Sequence, residues 1–293
     1  MRPFPSPAHA GRPHKSRAGH SAAWTSEVVP TFGPTLRAWR LARRMSQEDL
    51  AFGADTSTRH LSCLETQKAR PSREMVLRLG RALNLPFREC NQLLQAAGFS
   101  ASFAESRLDS TTLAPVQRAI DQMLHQQEPW PVIVLDRCWN VVQTNQGALR
   151  VLGTFLNPNI PAEVAGNLVR MVLHPDGARD VLVDWPEIAA AALARLEREC
   201  VMHPMDTDRN RLRNEVLSWP GIADLPRGEF ARQTAVQVVH LRKGPVEARF
   251  VTLLTTVGTP LDITAQELTL ETWFPADEAT ESWVLAMAAQ SQS

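Results

Sequence analysis

The residues with the clearest chemistry lie in SQEDLAFGADTSTRHLSCLE, 46–65. Ser46 with Asp49 three residues on forms an approximate capping box, and Ser57 is a second N-cap. Two helices of about eight residues therefore flank a turn of about three or four. This is the spacing of a helix-turn-helix, which lays its second helix in the major groove of a duplex. With Leu61 pointing inward, a step of about 100° per residue puts Leu64 on the same face and turns Arg59, Ser62, Cys63 and Thr66 outward. Thr58 and Arg59 stand at the amino end, the part that reaches base edges. The fork of Arg59 matches O6 and N7 of guanine; the alternative for such a residue is a solvated surface charge. Thr58, Arg59, Ser62 and Cys63 are the expected base-reading set.

Gln47 opens the first of these helices, where its amide, the backbone N–H groups and the helix dipole can hold a phosphate. Arg43, Arg44, Lys68 and Arg70 would add positive charge around it, each alone being an ordinary surface cation. Arg40 differs. It follows Leu36 by four residues and adjoins Trp39, which turns it toward the inner stripe of the preceding helix, with Glu65 as a plausible partner. A partly buried Arg40–Glu65 pair would set the angle of the reading helix; two exposed charges would contribute under about 1 kcal/mol.

These residues need a scaffold, and 34–98 reads as five short helices. The first spans about 35–44; Ser46, Ser57 and Ser72 cap the next three; Pro86 opens the fifth and Gly98 closes it. Met75, Val76, Leu79 and Leu83 form one stripe of the fourth. Residues 1–33, rich in Pro, Ser, His and Arg, read as a disordered arm, and 99–114 as a linker. From 115 to 288 the pattern is mixed. Residues 131–144 read as two strands around an Asp136–Arg137 turn, and Asn145 caps a helix. The stretches 189–200 and 209–219 are helical, and 236–241 and 247–256 make a hairpin. Alternation over 267–274 is that of a half-buried strand. An antiparallel sheet with helices inserted after its first hairpin is the expected architecture: two domains, the first all-α and the second α+β.

Composition narrows the classes. The chain has 293 residues, 44% of them apolar and 21% charged, which is globular. Its longest apolar run, 188–194, falls far short of the roughly twenty residues of a membrane span. Four Cys without a C-x-x-C pair fit a reducing cytoplasm. Net charge is zero, yet 16 basic and 9 acidic residues precede position 111 and 15 and 22 follow it. A basic front joined to an acidic back implies that only the front meets a polyanion.

LRAWRLARRMSQEDLA and RHLSCLETQKARPSREMVLRLGRALNLPFRECNQLLQAAGF closely resemble the XRE/Cro-type helix-turn-helix of bacterial regulators. VIVLDRCWNVVQTN, NLVRMVLHPDG, LSWPGI and GTPLDITAQELTLETWFPADEAT resemble the MmyB-like ligand-binding domain. The resemblance implies a one-component transcription regulator whose second domain is PAS-like and holds a small apolar ligand such as a fatty acid. Four departures stand out. Asp55-Thr56 replaces the usual Gly-Val of the turn, Gln67 replaces a Gly, Cys63 replaces a larger apolar residue, and Trp219 replaces a Tyr. Asp tolerates the left-handed backbone such a turn needs.

Six of the eight Trp lie beyond residue 110, as an aromatic-lined cavity or as ordinary core. A ligand would be sought among Val134, Trp139, Asn145, Leu149, Met171 and Leu253. His174-Pro175-Asp176 is a helix stop rather than a metal or acid–base site, and His125, His203 and His240 lack metal-ligand spacing. Neither a catalytic set nor a metal or cofactor is expected. The expected partners are double-stranded DNA with a pseudo-palindromic operator, a second copy of the chain and a small effector, without membrane insertion. Two other readings compete: the second domain as a dimerisation module alone, or as a tethered metal- or Cys-dependent enzyme.

Overall fold

The computed structural model describes residues 31–226 and 238–290; the 1–30 part of the expected arm and positions 236–237 of the expected hairpin lie outside them. The N-terminal helices are α1 (Phe32–Ala42), α2 (Gln47–Gly53), α3 (Thr58–Glu65), α4 (Arg73–Ala82) and α5 (Phe87–Ala96). Local chemistry sets their ends. The Ser46 hydroxyl accepts from the Asp49 N–H at 3.0 Å while the Asp49 carboxylate accepts from the Ser46 N–H, a complete capping box. Ser57 and Ser72 each accept from the N–H three residues on. Left-handed residues break the chain between helices: Arg44, Asp55, Gln67 and Asn84 have φ of 55, 49, 60 and 49°, and Gly98 has 86°. Asp55 and Gln67 thus adopt the backbone that glycine adopts most easily, at some strain for Gln67.

Helix α1 starts three residues before the expected position. Phe32 is buried, and a Cβ on Gly33 would lie 2.6 Å from the Glu65 carbonyl oxygen. The expected arm therefore ends inside a packed helix, whose first turn abuts the last turn of α3. Leu36, Trp39, Leu50, Leu61, Leu64, Val76, Leu79, Leu93 and Leu94 close the core.

The second unit opens with α6 (Ala114–Gln126), which the sequence reading did not name, then β1 (Val132–Leu135) and β2 (Val141–Thr144). Helices α7 (Gln146–Phe155), α8 (Ala162–Ala165), α9 (Leu168–Leu173), α10 (Trp185–Met202) and α11 (Thr207–Leu217) follow. Strands β3 (Val238–Lys243) and β4 (Val246–Thr256), helix α12 (Ile263–Glu267), strand β5 (Thr269–Pro275) and helix α13 (Glu278–Gln290) complete it. The strands form one antiparallel sheet in the order β2-β1-β5-β4-β3, the PAS-like α+β arrangement with its helices inserted after the first hairpin.

Register decides which side chains share a face. Val134 pairs with Leu270, and Leu253 with Thr272, so these point to one side, where Ile120 and Leu124 of α6 cover Val132, Val134 and Leu270. Ile133 pairs with Glu271 and Thr252 with Trp273; these point to the other side, toward the core built by α7, α9 and α10. Strand β5 lies between β1 and β4 with helices on both sides. Leu270, Glu271, Thr272 and Trp273 are all buried, so the middle of the strand is buried on both faces rather than on one.

The 99–114 stretch is packed against both units. The Asn91 side chain donates to the Phe103 carbonyl at 2.8 Å and accepts from the Ser102 N–H at 2.8 Å, and Phe87 and Phe103 stack with centroids 4.2 Å apart. Gln266 accepts from the Phe87 N–H at 2.8 Å, and Arg88 pairs with both Glu267 (2.7 Å) and Glu105.

Arg40 donates to both Glu65 oxygens, at 2.6 and 3.0 Å, with the two side chains 9% and 3% exposed. Removing one partner strands a buried charge, so Glu65→Ala should lower unfolding free energy by about 3–5 kcal/mol, whereas replacing Arg40 and Glu65 together by apolar residues should cost far less. Urea unfolding followed by far-ultraviolet dichroism measures both.

Candidate nucleic-acid interface and ligand cavity

Helix α3 presents the face expected of it. Leu61 and Leu64 are fully buried, Thr58 and Arg59 are exposed at its amino end, and Ser62 and Cys63 are half-buried on its outer side. Arg59 makes no ion pair among the described residues, and Arg44, Lys68 and Arg70 are exposed. Phe52, 88% exposed on α2, is a surface aromatic that the sequence reading passed over; its position on α2 gave no signal beyond its type.

Two of the expected phosphate contacts have partners within the fold. Gln47 donates from Nε2 to Glu65 Oε2 at 2.8 Å, so part of its amide is spent within the fold. Glu65 consequently ties α1, α2 and α3 together. Burial alone would raise the Glu65 carboxyl, but the hydrogen bonds from Arg40 and Gln47 outweigh it and hold it below the usual carboxylate range. Arg43 reaches toward α4 and the second unit. It donates to the Leu83 carbonyl at 3.1 Å and to the Met202 carbonyl at 2.9 Å, beside the Trp39 ring. Both carbonyls end helices, α4 and α10, where a cation meets unsatisfied acceptors; Arg43 therefore joins the two units.

The second unit holds a cavity of about 300 Å³ between the sheet and helices α7, α9 and α10, a volume within the small-molecule range. Trp139 and Met171 line it as expected, in company with Leu152, Phe155, Leu182 and Trp273. The other four expected residues do not. Val134 faces α6, and Leu253, on the same side of the sheet, is 54% exposed. Asn145 is buried as a clamp: it accepts from the Val132 and Ala148 N–H groups at 3.0 and 2.9 Å and donates to the Trp130 carbonyl at 2.8 Å. Leu149 is half-buried and does not line the cavity, unlike Leu152 on the same helix.

Sequence reasoning missed the cavity's polar end: Glu271, Arg195 and Arg198. Glu271 is 7% exposed; it accepts from Trp273 Nε1 at 2.9 Å, and burial pushes its carboxyl up. The guanidinium of Arg195 lies 4.0 Å from the Trp139 ring centroid, and Glu199 accepts from both Trp139 Nε1 (3.0 Å) and Arg195 Nε (3.2 Å). Trp139 has φ 65°, a costly backbone for so bulky a residue. The Asp136 side chain holds that turn by accepting from the Cys138 and Asn140 N–H groups at 2.8 and 3.0 Å.

Trp139 and Arg195 also line a second, polar cavity of about 260 Å³ at the junction with the helical unit, together with Glu89, Glu199, His203 and Glu267. On α10, Arg195, Glu199 and the following His203 recur every four residues, one stripe running from the apolar cavity to the junction. There His203 Nδ1 lies 2.6 Å from Glu89 Oε1 of α5. Burial would raise the Glu89 carboxyl, but His203 outweighs it and holds it low. Burial raises the thiols of Cys90 and Cys200 and pushes Cys138 up to about 11, which keeps them protonated and poorly reactive.

The fold and these surfaces define a helix-turn-helix protein carrying a ligand-binding domain. A family model described as helix-turn-helix matches 36–90, and one described as the MmyB-like transcription regulator ligand binding domain matches 116–286. The chain belongs to the MmyB-like transcription regulator family. No curated protein matches it. Among solved structures, an RNA-binding Light-Oxygen-Voltage receptor is 14% identical with a TM-score of 0.26; the match covers 87% of this chain and 63% of the receptor. A likeness that weak carries no argument about fold or binding. Among the described residues no helix is long and apolar enough to cross a membrane.

If Lys68 meets a phosphate and Arg43 serves the junction, Lys68→Ala should lessen the slope of log affinity against log salt by about one, as one phosphate contact does. Arg43→Ala should leave that slope unchanged. Anisotropy titrations with duplex DNA at several salt concentrations separate the two.

Proposed function

We propose that this chain is a cytoplasmic one-component transcription regulator that reads a pseudo-palindromic operator as a homodimer and answers to a small apolar effector such as a fatty acid. The observation that carries it is the reading helix. Its inner face is pinned through Glu65 to Arg40 and Gln47, while Thr58 and Arg59 project at its exposed amino end. Two such helices about one duplex turn apart would match two half-sites. The apolar cavity favours effector control over a dimerisation module alone, and the buried thiols give no support to a Cys-dependent enzyme.

Control would pass along α10. An effector in the cavity touches Trp139 and Arg195, whose shared partner Glu199 lies one turn before the His203–Glu89 contact with the helical unit. A coupling of about 1–3 kcal/mol between cavity and operator suffices for regulation.

Selection of bound duplexes from a random pool should yield a preferred site, and Arg59→Ala should weaken binding to it by about 1–3 kcal/mol and relax the preference at one base pair per half-site. A variant that keeps both affinity and preference contradicts the assignment.

The junction should respond to acid. Because the Glu89 carboxyl is held low in the folded state, its contribution is present above the ordinary carboxylate pKa of about 4.3 and is lost as pH falls through the lower folded value. Glu89→Gln should therefore be less stable than wild type near neutrality, with the difference narrowing across that acid range. Thermal melts at a series of pH values read the two curves.

A further inference from the structure

The polar end of the apolar cavity restricts its ligand beyond "small and apolar". Along one side of β5, Thr269 lines the junction cavity, while Glu271 and then Trp273 line the apolar one. Glu271 thus stands where the two spaces meet, beside Arg195, and its charge senses that arginine. One carboxyl oxygen accepts from Trp273 Nε1; among the described residues the side chain has no other hydrogen bond. Arg198, exposed and without an ion pair among the described residues, lines the same cavity one helical turn after Arg195.

An unbranched fatty acid satisfies half of this arrangement. Its carboxylate can meet the two guanidinium groups, which also disfavour a cationic head. Its methylenes would then cover the free oxygen of Glu271, leaving a buried polar group unpaired. A hydroxyl or amide close to the acid would supply the missing partner. A hydroxyl serves a carboxyl in either protonation state, since it both donates and accepts.

We propose that the cavity selects an acyl acid carrying a hydroxyl or amide next to its acidic head, with Glu271 as the residue that reads this second group and Arg195 and Arg198 as those that hold the anion. This rests on the reading of the cavity as an effector site. Hydroxylated fatty acids and N-acyl amino acids share that chemistry, and the ligands tested distinguish them.

Calorimetric titration of the delipidated full-length protein with dodecanoate, 3-hydroxydodecanoate and N-decanoylglycine provides the test. Wild type should bind one or both of the latter about tenfold more tightly than dodecanoate, the worth of one hydrogen bond to a buried group. The tighter of the two names the source. Glu271→Leu should bind all three alike, and Glu271→Gln, which keeps an acceptor for Trp273, should retain the preference. Equal affinity of wild type for the three, with measurable binding, overturns the proposal while leaving the effector site standing, as does a preference that survives in Glu271→Leu. Failure of wild type to bind any of them removes the effector reading and this proposal together. Should Glu271→Leu not fold, the wild-type comparison still decides.

Discussion

A carboxylate buried in the helical unit, Glu65, holds the reading surface in place. It receives the Arg40 guanidinium along both oxygens and the Gln47 amide on one of them, while Arg40 also donates to the Met45 carbonyl at 2.9 Å. Three helices thereby meet at one carboxylate, and the Arg40 guanidinium adds the turn at Met45. Apolar packing alone tolerates small rotations of a short helix, because dispersion is non-directional. A bidentate charged pair does not, since its geometry is specific and its loss leaves an unpaired charge out of water. Thr58 and Arg59 sit nearly two turns before Glu65 on the same helix, so fixing one end fixes the aim of the other.

The second unit depends on a comparable device, again a carboxylate that accepts from two side chains. Trp139 and Arg195 form a wall between an apolar cavity and a polar one, and Glu199 holds both. Arg195 and Glu199 stand on α10, whose end is bound to the helical unit through His203–Glu89 and through Arg43 on the Met202 carbonyl. Arg88, Gln266 and Glu267 add a second attachment. A helix that lines a cavity and ends on a neighbouring domain is a physical basis for coupling, because backbone hydrogen bonding makes it move as a unit.

Much of the local architecture was legible. Ser46, Ser57 and Ser72 marked helix starts because a cap is chemistry within three residues. Asp55 signalled a left-handed turn, and Asn145 a helix start. Arg40 could be placed inward because helical period follows from sequence alone. Other placements were not legible, for a common reason. Arg43 and Arg44 are equivalent by composition, yet one crosses to Met202 and the other stays in solvent. Val134 faces α6, while Ile133, its neighbour, is the one on the cavity side of the sheet. In VIVL every residue is apolar, so no alternation tells one face from the other.

By itself the sequence determined where the helices capped by Ser46, Ser57, Ser72 and Asn145 begin, that a helix-turn-helix precedes an α+β unit, and which side of α3 stays outside. These follow from hydrogen bonds and periodicities spanning a few residues. Tertiary structure alone decided which face of β5 meets the cavity, that Glu271 is sealed into it, and that Arg43, Glu89 and His203 meet at the junction. Those outcomes depend on pairings between segments more than a hundred residues apart. Such pairings are chosen by the burial of whole faces against one another, and no short stretch of chain contains that information.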